Sequence, residues 1–426
     1  MTEIPRILLE KADELEQKTA ERYPALKGLV KQCFLNTIET TVQQLKDGSY
    51  FVITGDIPAM WLRDSAAQVK PYVSYAKEDE DLQRILRGVI AKQAFYVTVD
   101  PYSNAFNAEE AFAGAGYKDE TDFESGWIWE RKYEVDSLCA PLYLAYEYYT
   151  ATADRSIFTP QFKEMICLIV KTFTDQQNRS ATEYFFQRSD CPESDTLSNK
   201  GRGAQVNYTG MTWSGFRPSD DACKYGYLIP SNMMAVVALK YAAIMAMEGY
   251  DDAYLQEKCE ELANEIDDGI QAYGIVEHPK YGRIYAYETD GFGNYNLMDD
   301  ANSPSLLAIP YLGYRKAEDE IYQNTRRFIL SESNPYYFSG KVAKGIGSPH
   351  TPKNYIWHIS LVMQILTSTD EHEIEECLAT IARTHAGTNF MHEGFDVDNP
   401  AKFTREWFAW ANTLFAQMMA ELTGLY

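Results

Sequence analysis

The chain has 426 residues, 45% hydrophobic, 14% aromatic and 24% charged, with a formal net charge of −23. That balance supplies a large core and excludes nucleic acid and anionic membrane as partners, since both need clustered Lys and Arg. Seven scattered cysteines, odd in number and without a C-x-x-C pair, exclude a disulfide framework and a zinc ribbon and point to a reducing cytosol.

Met1 to Lys18 is charged and amphipathic and lacks the apolar h-region of a signal peptide. No window is expected to reach the run of about 18 apolar residues that a membrane span needs. The expected localisation is cytoplasmic, where the sequons Asn178-Arg179-Ser180 and Asn207-Tyr208-Thr209 carry no meaning. No feature of the sequence sets an oligomeric state.

Apolar residues recur at helical spacing along most of the chain. A leading helix is expected over 5–20, then one over 25–46 with Leu26, Leu29, Val30, Cys33, Phe34, Thr37, Ile38, Val42 and Leu45 on one stripe. Further helices are expected over 65–76, 80–98, 136–152, 159–176, 230–247, 252–273, 304–314, 317–331, 354–368, 371–385 and 404–424. Strand-like runs are few and short, at 50–54, 183–187 and 283–287.

The connections alternate in length. Those near 77–79, 153–158, 248–251, 315–316 and 369–370 are short, and those near 47–64, 99–135, 177–229, 274–303, 332–353 and 386–403 are long. Short links join antiparallel neighbours, and long loops in a compact domain are usually functional. About twelve helices in six pairs, with every long loop at one end, describe an all-α (α/α)6 toroid filling 1–426 as a single domain. An open solenoid would carry a sequence repeat, and none is visible.

Each long connection ends in a motif of carboxylates and aromatics. In order these are Trp61-Leu62-Arg63-Asp64, Gly126 to Ser137, Ser214 to Asp221, Met298 to Pro304, His350 to Trp357, and His392 to Asp396 leading to Arg405-Glu406-Trp407 and Trp410. Helix capping competes for individual residues: Asp64, Asp136 and Asn354 stand where N-caps stand, and Ser303 precedes a first-turn proline, Pro304. Trp127 and Trp129 alternate with apolar residues and also suit a core. His278 and His372 read as surface residues. If the helices alternate in direction, however, all six motifs converge on one depression, and capping does not call for so many Trp.

The sequence holds no H-E-x-x-H, G-x-S-x-G, P-loop or dinucleotide fingerprint. What remains is paired carboxylates in an aromatic pocket, the equipment of glycoside hydrolysis: one carboxylic acid protonates the leaving oxygen, and one carboxylate activates water or attacks the anomeric carbon. Asp220-Asp221 and Asp299-Asp300 are both candidates for the acid, and Glu393, Asp396 and Asp398 for its partner. Counting carboxylates leaves an oxygen-ligand Ca²⁺ site open, and with it a Ca²⁺-dependent glycosidase of toroidal fold; a non-catalytic carbohydrate-binding toroid is the alternative outside enzymes.

Gly55 to Ser65 resembles glycoside hydrolase family 125, the metal-independent exo-α-1,6-mannosidases. The likeness continues at Trp127 to Asp136, Gly215 to Asp221 and His392 to Phe395, and so spans nearly the whole chain in order. The resemblance implies an (α/α)6 fold, no metal or other cofactor, and release of single mannose units from α-1,6-linked manno-oligosaccharides such as N-glycan fragments. It also implies inversion, for which the two carboxyls stand roughly 6.5–9.5 Å apart, and it selects Asp220 as acid and Glu393 as base. The expected sugar contacts are Trp61, Arg63 and Asp64, with Trp127, Glu130, Asp136, Arg217, Asp299, His350 and His392 from the other motifs.

Overall fold

Two kinds of helix alternate along the chain, one buried on nearly every side and one buried along a single stripe, and that difference sorts them into two rings. A computed structural model describes residues 3–114 and 116–426. In order the helices are α1 (Arg6–Arg22), α2 (Leu29–Thr40), α3 (Leu62–Val69), α4 (Glu80–Val99), α5 (Val135–Thr152), α6 (Pro160–Gln177), α7 (Ser198–Gly201), α8 (Ile229–Tyr250), α9 (Ala253–Tyr273), α10 (Glu320–Ile329), α11 (His358–Leu366), α12 (Glu371–Thr384) and α13 (Ala409–Leu422). The inner ring is α3, α5, α8, a run of turns over 304–314, α11 and α13; the outer ring is α2, α4, α6, α9, α10 and α12. This is an (α/α)6 toroid, with α1 packed on its outside against α2. α7 is one irregular turn, with Asn199 and Lys200 at φ of 51° and 54°.

The ring closes by packing α13 against α2, α3 and α11. α13 is buried along nearly its whole length. Its few polar groups are paired: Thr413 with Thr37 (2.8 Å), and Asn412 with the Met391 N–H (2.8 Å). One large hydrophobic core runs through the molecule from Leu8 to Ala420, with a small second cluster of Ala59, Trp61 and Ala105.

The inner helices start at the same end, and there the long loops are stitched by short antiparallel strands. Met60–Trp61 pairs with Ala105–Phe106, which pairs with Ile128–Glu130. Tyr227–Leu228 pairs with Glu288–Thr289, and Tyr355–Trp357 with Gly394–Asp396. Three of these strands run straight into α3, α8 and α11, so each motif is held by backbone bonds to a neighbouring loop before its helix begins. With their N-termini together, the inner helices present the positive ends of their dipoles to whatever lies at the centre.

Several expectations are corrected. The helix over 25–46 stops at Thr40, because the β-branched run Thr40-Thr41-Val42 favours a strand; Val42–Gln44 pairs with Tyr50–Val52. Residues 304–314 form successive turns, since Pro310 lacks an N–H and Gly313 adopts φ of 79°. Ser303 therefore caps no helix. Asn354 has φ of 69° and leads into the Tyr355–Trp357 strand, so it is no N-cap either. α8 is in fact long and apolar enough to cross a membrane by length and composition, and 83% of that stretch is buried inside the molecule as an inner-ring helix.

Candidate active site

At the end where the inner helices begin, a cavity of about 660 Å³ opens, within the range of small-molecule sites. Trp61, Arg63, Asp64, Trp129, Glu130, Lys132, Asp195, Asp220, Asp221, His350, Trp357, Glu393, Arg405, Phe408 and Trp410 contribute to its walls. Beneath it, a void of about 60 Å³ inside the ring is lined mainly by apolar groups and bounded above by Arg63 and Trp410.

The floor is organised by Arg63, in the first turn of α3. Its guanidinium donates to Glu134 Oε2 (2.6 Å) and Asp136 Oδ2 (3.0 Å), stands 3.3 Å from Asp64 Oδ2, and faces the Trp410 ring at 5.7 Å. Asp64 makes no cap to its helix, which correctly begins at Leu62; the capping expectation fails because Trp61 occupies the N-cap position. Asp64 Oδ2 is buried and makes no hydrogen bond among the described residues. Burial pushes its carboxyl above the ordinary value despite Arg63.

Asp220 projects from the connection before α8 at φ of 65°, a left-handed conformation uncommon for a non-glycine residue. Its Oδ1 accepts from Asn104 Nδ2 (3.1 Å) and Trp61 Nε1 (3.3 Å), and its carbonyl oxygen accepts from Lys132 Nζ (2.9 Å). Burial alone would raise the Asp220 carboxyl, but Lys132 and Arg63 hold it below the ordinary value. Glu134 goes the other way: burial, with Asp220 and Asp136 nearby, keeps it well above.

Glu393 enters from the opposite loop, just before the Gly394–Asp396 strand. Arg405 Nη1 lies 4.0 Å from Glu393 Oε1, and Arg405 is itself anchored by Asp56 (Nε to Oδ1, 3.0 Å) and Thr54 (3.3 Å). His350 Nδ1 lies 3.1 Å from Asp221 Oδ1. Burial disfavours the imidazolium, but Asp221, Glu393 and Asp220 outweigh it and push His350 up to about 9.

One wall comes from two loops joined by the pairing of Asp119–Thr121 with Phe186–Arg188. Arg188 ties them together, donating to Asp119 (2.7 and 2.8 Å), Asp195 (3.0 Å) and Glu130 (2.9 Å). Tyr117, Pro192, Ser194 and Asp195 then face the cavity.

Of the residues singled out in the sequence, Trp61, Arg63, Asp64, Glu130, Asp220, His350 and Glu393 meet in this cavity. The other five expected sugar contacts lie outside it. Trp127 packs edge-on against Phe95 at 4.9 Å with Lys92 over its ring. Asp136 is buried between Arg63 and Ser231. Arg217 is held by Glu288 at 2.6 Å. Asp299 accepts the Leu306 and Leu307 N–H groups (2.8 and 3.0 Å), fixing the turns that replace an inner helix. His392 stacks on Phe403 at 3.8 Å, donates from Nδ1 to the Arg405 carbonyl (3.2 Å) and pairs through Nε2 with Thr388 Oγ1 (3.0 Å), beneath the loop that carries Arg405. Sequence reading passed over Lys132, Arg188 and Asp195. Lys132 sits inside a recognised motif, whereas nothing in the 177–229 connection marks Arg188. Among the described residues, no three of His, Cys, Asp and Glu converge as a metal-binding group.

Carboxylates on facing loops, aromatic faces and a fork-shaped cation make a site suited to a sugar ring and to acid–base cleavage beside it. Comparison with known proteins agrees. Residues 23–420 match the family model of the metal-independent α-mannosidases, glycoside hydrolase family 125. The meiotically up-regulated gene 157 protein of Schizosaccharomyces pombe is 41% identical over 418 residues, covering 93% of this chain and 82% of its own. A Streptococcus pneumoniae metal-independent α-mannosidase, solved in a non-productive complex with α-1,6-mannobiose, is 45% identical, covers 100% of both chains and superposes with a TM-score of 0.97. A glycosidase 12% identical, covering 95% of this chain and 99% of its own at a TM-score of 0.56, bears on the fold alone.

Proposed function

This chain belongs to glycoside hydrolase family 125, the metal-independent α-mannosidases, and on that premise we propose that it is an inverting exo-α-1,6-mannosidase. Its substrates are manno-oligosaccharides of the N-glycan type, cut one terminal mannose at a time. The observation that carries the reading is the presence of Asp220 and Glu393 in one cavity of about 660 Å³ floored by Arg63 and Asp64. The likeness to a pneumococcal enzyme complexed with α-1,6-mannobiose supports the linkage.

In this reading Asp220 protonates the glycosidic oxygen as the bond to the anomeric carbon breaks. Glu393, on the facing loop, takes a proton from the water that attacks the opposite face of the ring. Arg63 and Asp64 grip hydroxyls of the terminal sugar, with Trp61 and Trp410 as apolar faces. Arg405 positions Glu393.

The test uses leaving groups. Asp220→Asn removes the proton donor, so cleavage of α-1,6-mannobiose falls by about 10²–10⁴-fold. Hydrolysis of α-mannosyl fluoride, whose leaving group needs little acid assistance, falls far less. Equal loss on both substrates overturns the role of Asp220. Offering α-1,2-, α-1,3- and α-1,6-mannobiose in excess chelator, with the first-released anomer followed by NMR, tests linkage and stereochemistry together. Release of α-mannose first overturns inversion.

A further inference from the structure

The first and last loops of the ring meet beside Glu393. The Ala409 N–H donates to the Thr54 carbonyl (3.1 Å) and the Asp56 N–H to that of Trp407 (3.3 Å), with Gly55 bridged to Phe408 between them. A Cβ on Gly55 would stand 2.5 Å from the Trp407 oxygen, at a φ of 129° that strains any side chain, so this approach needs glycine. Arg405, on the facing loop, adopts φ of 48°, uncommon for a residue with a side chain. Its own contacts must hold it there.

The Arg405 guanidinium is divided between two carboxylates. Nε donates to both oxygens of Asp56 (3.0 and 3.2 Å). Nη2 donates to Asp56 Oδ1 as well, with Thr54 Oγ1 a further acceptor at 3.3 Å. The Phe408 ring lies against the fork, its centroid 4.4 Å from Cζ. Nη1 faces the other way, 4.0 Å from Glu393 Oε1 and beyond hydrogen-bond reach. Arg405 therefore acts on Glu393 by its charge. Asp56 is exposed and stands outside the lining of the cavity, yet it fixes where that charge sits and how much of it is already balanced.

A general base works between two limits. It must be ionised, which a nearby cation favours, and it must hold a proton taken from water, which a cation felt too strongly opposes. We propose that Asp56 is a positioning residue for Glu393, acting through Arg405: it turns a single guanidinium nitrogen toward the base and balances part of the charge behind it. This rests on the reading of Glu393 above. Without the Asp56 charge the fork is free to turn onto Glu393, and the cation is no longer shared. The charged and titratable groups facing Glu393 are Arg405 from its own connection and His350 from the connection before α11. Around them stand Asp64 on α3, Asp220 and Asp221 on the connection before α8, with Asp221 on His350 at 3.1 Å, and His392 under the Arg405 carbonyl.

Two variants move the pH profile in opposite directions. The acidic limb of kcat/KM on α-mannosyl fluoride reads the base, because that leaving group needs little acid. Asp56→Asn is expected to shift this limb down by about half a pH unit or more and to lower kcat about three- to tenfold. Arg405→Met removes the cation and shifts the limb up. In the double variant Asp56→Asn adds nothing to Arg405→Met, as a residue acting through Arg405 requires. A parental limb in Asp56→Asn overturns the proposal, and so does lower kcat without a shift, which is all that a merely structural ion pair would give. Additive effects in the double variant overturn it as well. Glu393 is also titrated directly, by the ¹³C carboxyl resonance that Glu393→Gln removes. That titration needs no turnover. Its move to lower pH in Asp56→Asn supports the role of Asp56, and an unmoved titration overturns it, even if Glu393→Gln keeps its activity and Glu393 loses its place as base.

Discussion

Arg63→Met is the substitution that separates a site built on one shared cation from a set of independent pairs. Met fills the same stem volume and removes the charge, stranding Asp64 and Asp136 away from water; burial already holds the Glu134 carboxyl well above its ordinary value. A stranded carboxylate escapes its penalty by taking a proton, so its cost has a ceiling. From an ordinary value of 3.8, protonating one Asp at pH 7 costs about 4 kcal/mol, and at pH 5 about 1.6 kcal/mol. Two such groups set the ceiling near 9 kcal/mol at neutral pH and near 3 kcal/mol at pH 5. The sign follows from a folded-state pKa raised above the unfolded one: the deficit is present above the unfolded value and is relieved as pH falls. Urea unfolding of parent and variant at both pH values measures it. The variant is expected to lose several kcal/mol at pH 7 and to recover most of that by pH 5. A deficit that is the same at both pH values, or below about 1 kcal/mol at pH 7, refutes the shared-cation account.

Two further substitutions probe the wall and the base of the ring. Arg188→Met breaks its bonds to Asp119, Asp195 and buried Glu130. The cost is about 3–5 kcal/mol, only a few degrees of Tm for so long a chain. KM for mannobiose is expected to rise more than kcat falls, with faster hydrogen exchange over 119–121 and 186–188; unchanged KM refutes the wall's role. His358 is fully buried, its Nδ1 accepting from the His392 N–H at 3.0 Å, and burial and His392 push it down to about 3. Because that lies below the unfolded value of 6.5, stability is full above 6.5 and declines on acidification, by about 2 kcal/mol at pH 5 from this group. His358→Asn removes that part of the pH dependence, and equal slopes in urea midpoint against pH for parent and variant refute it.

The ring was legible because it is written in local periodicity: α4, α5, α6, α8, α9 and α12 begin and end within about three residues of the expected bounds. The gathering of the loop-end motifs followed from alternating loop lengths. What local pattern does not encode is which way a side chain turns within a loop. Asp136 and Arg217 have the composition of sugar contacts, but their partners Arg63 and Glu288 are about 70 residues away and draw them inward. Asp299 looked like half of a catalytic doublet and is spent on two backbone N–H groups. Arg188 escaped notice for the same reason in reverse, since its value lies wholly in carboxylates from other loops. Glu134 stood unremarked inside a recognised motif, two residues from Lys132, because only the folded chain brings it onto Arg63.

The packing of α13 against α2 and α3 has a consequence for how the protein comes into being. The last inner helix leaves the ribosome when every other stave of the barrel is already synthesised. Until it docks, the buried faces of α2, α3 and α11 have no partner on that side. Glu393, Arg405, Phe408 and Trp410 arrive with it, while Arg63 and Asp64 have waited for more than three hundred residues of translation. The cavity cannot exist in a nascent chain, and the barrel has no smaller working ancestor within its own synthesis. Hydrolysis is therefore a readout of completed closure, switched on by the same event that removes the last large sticky surface from water.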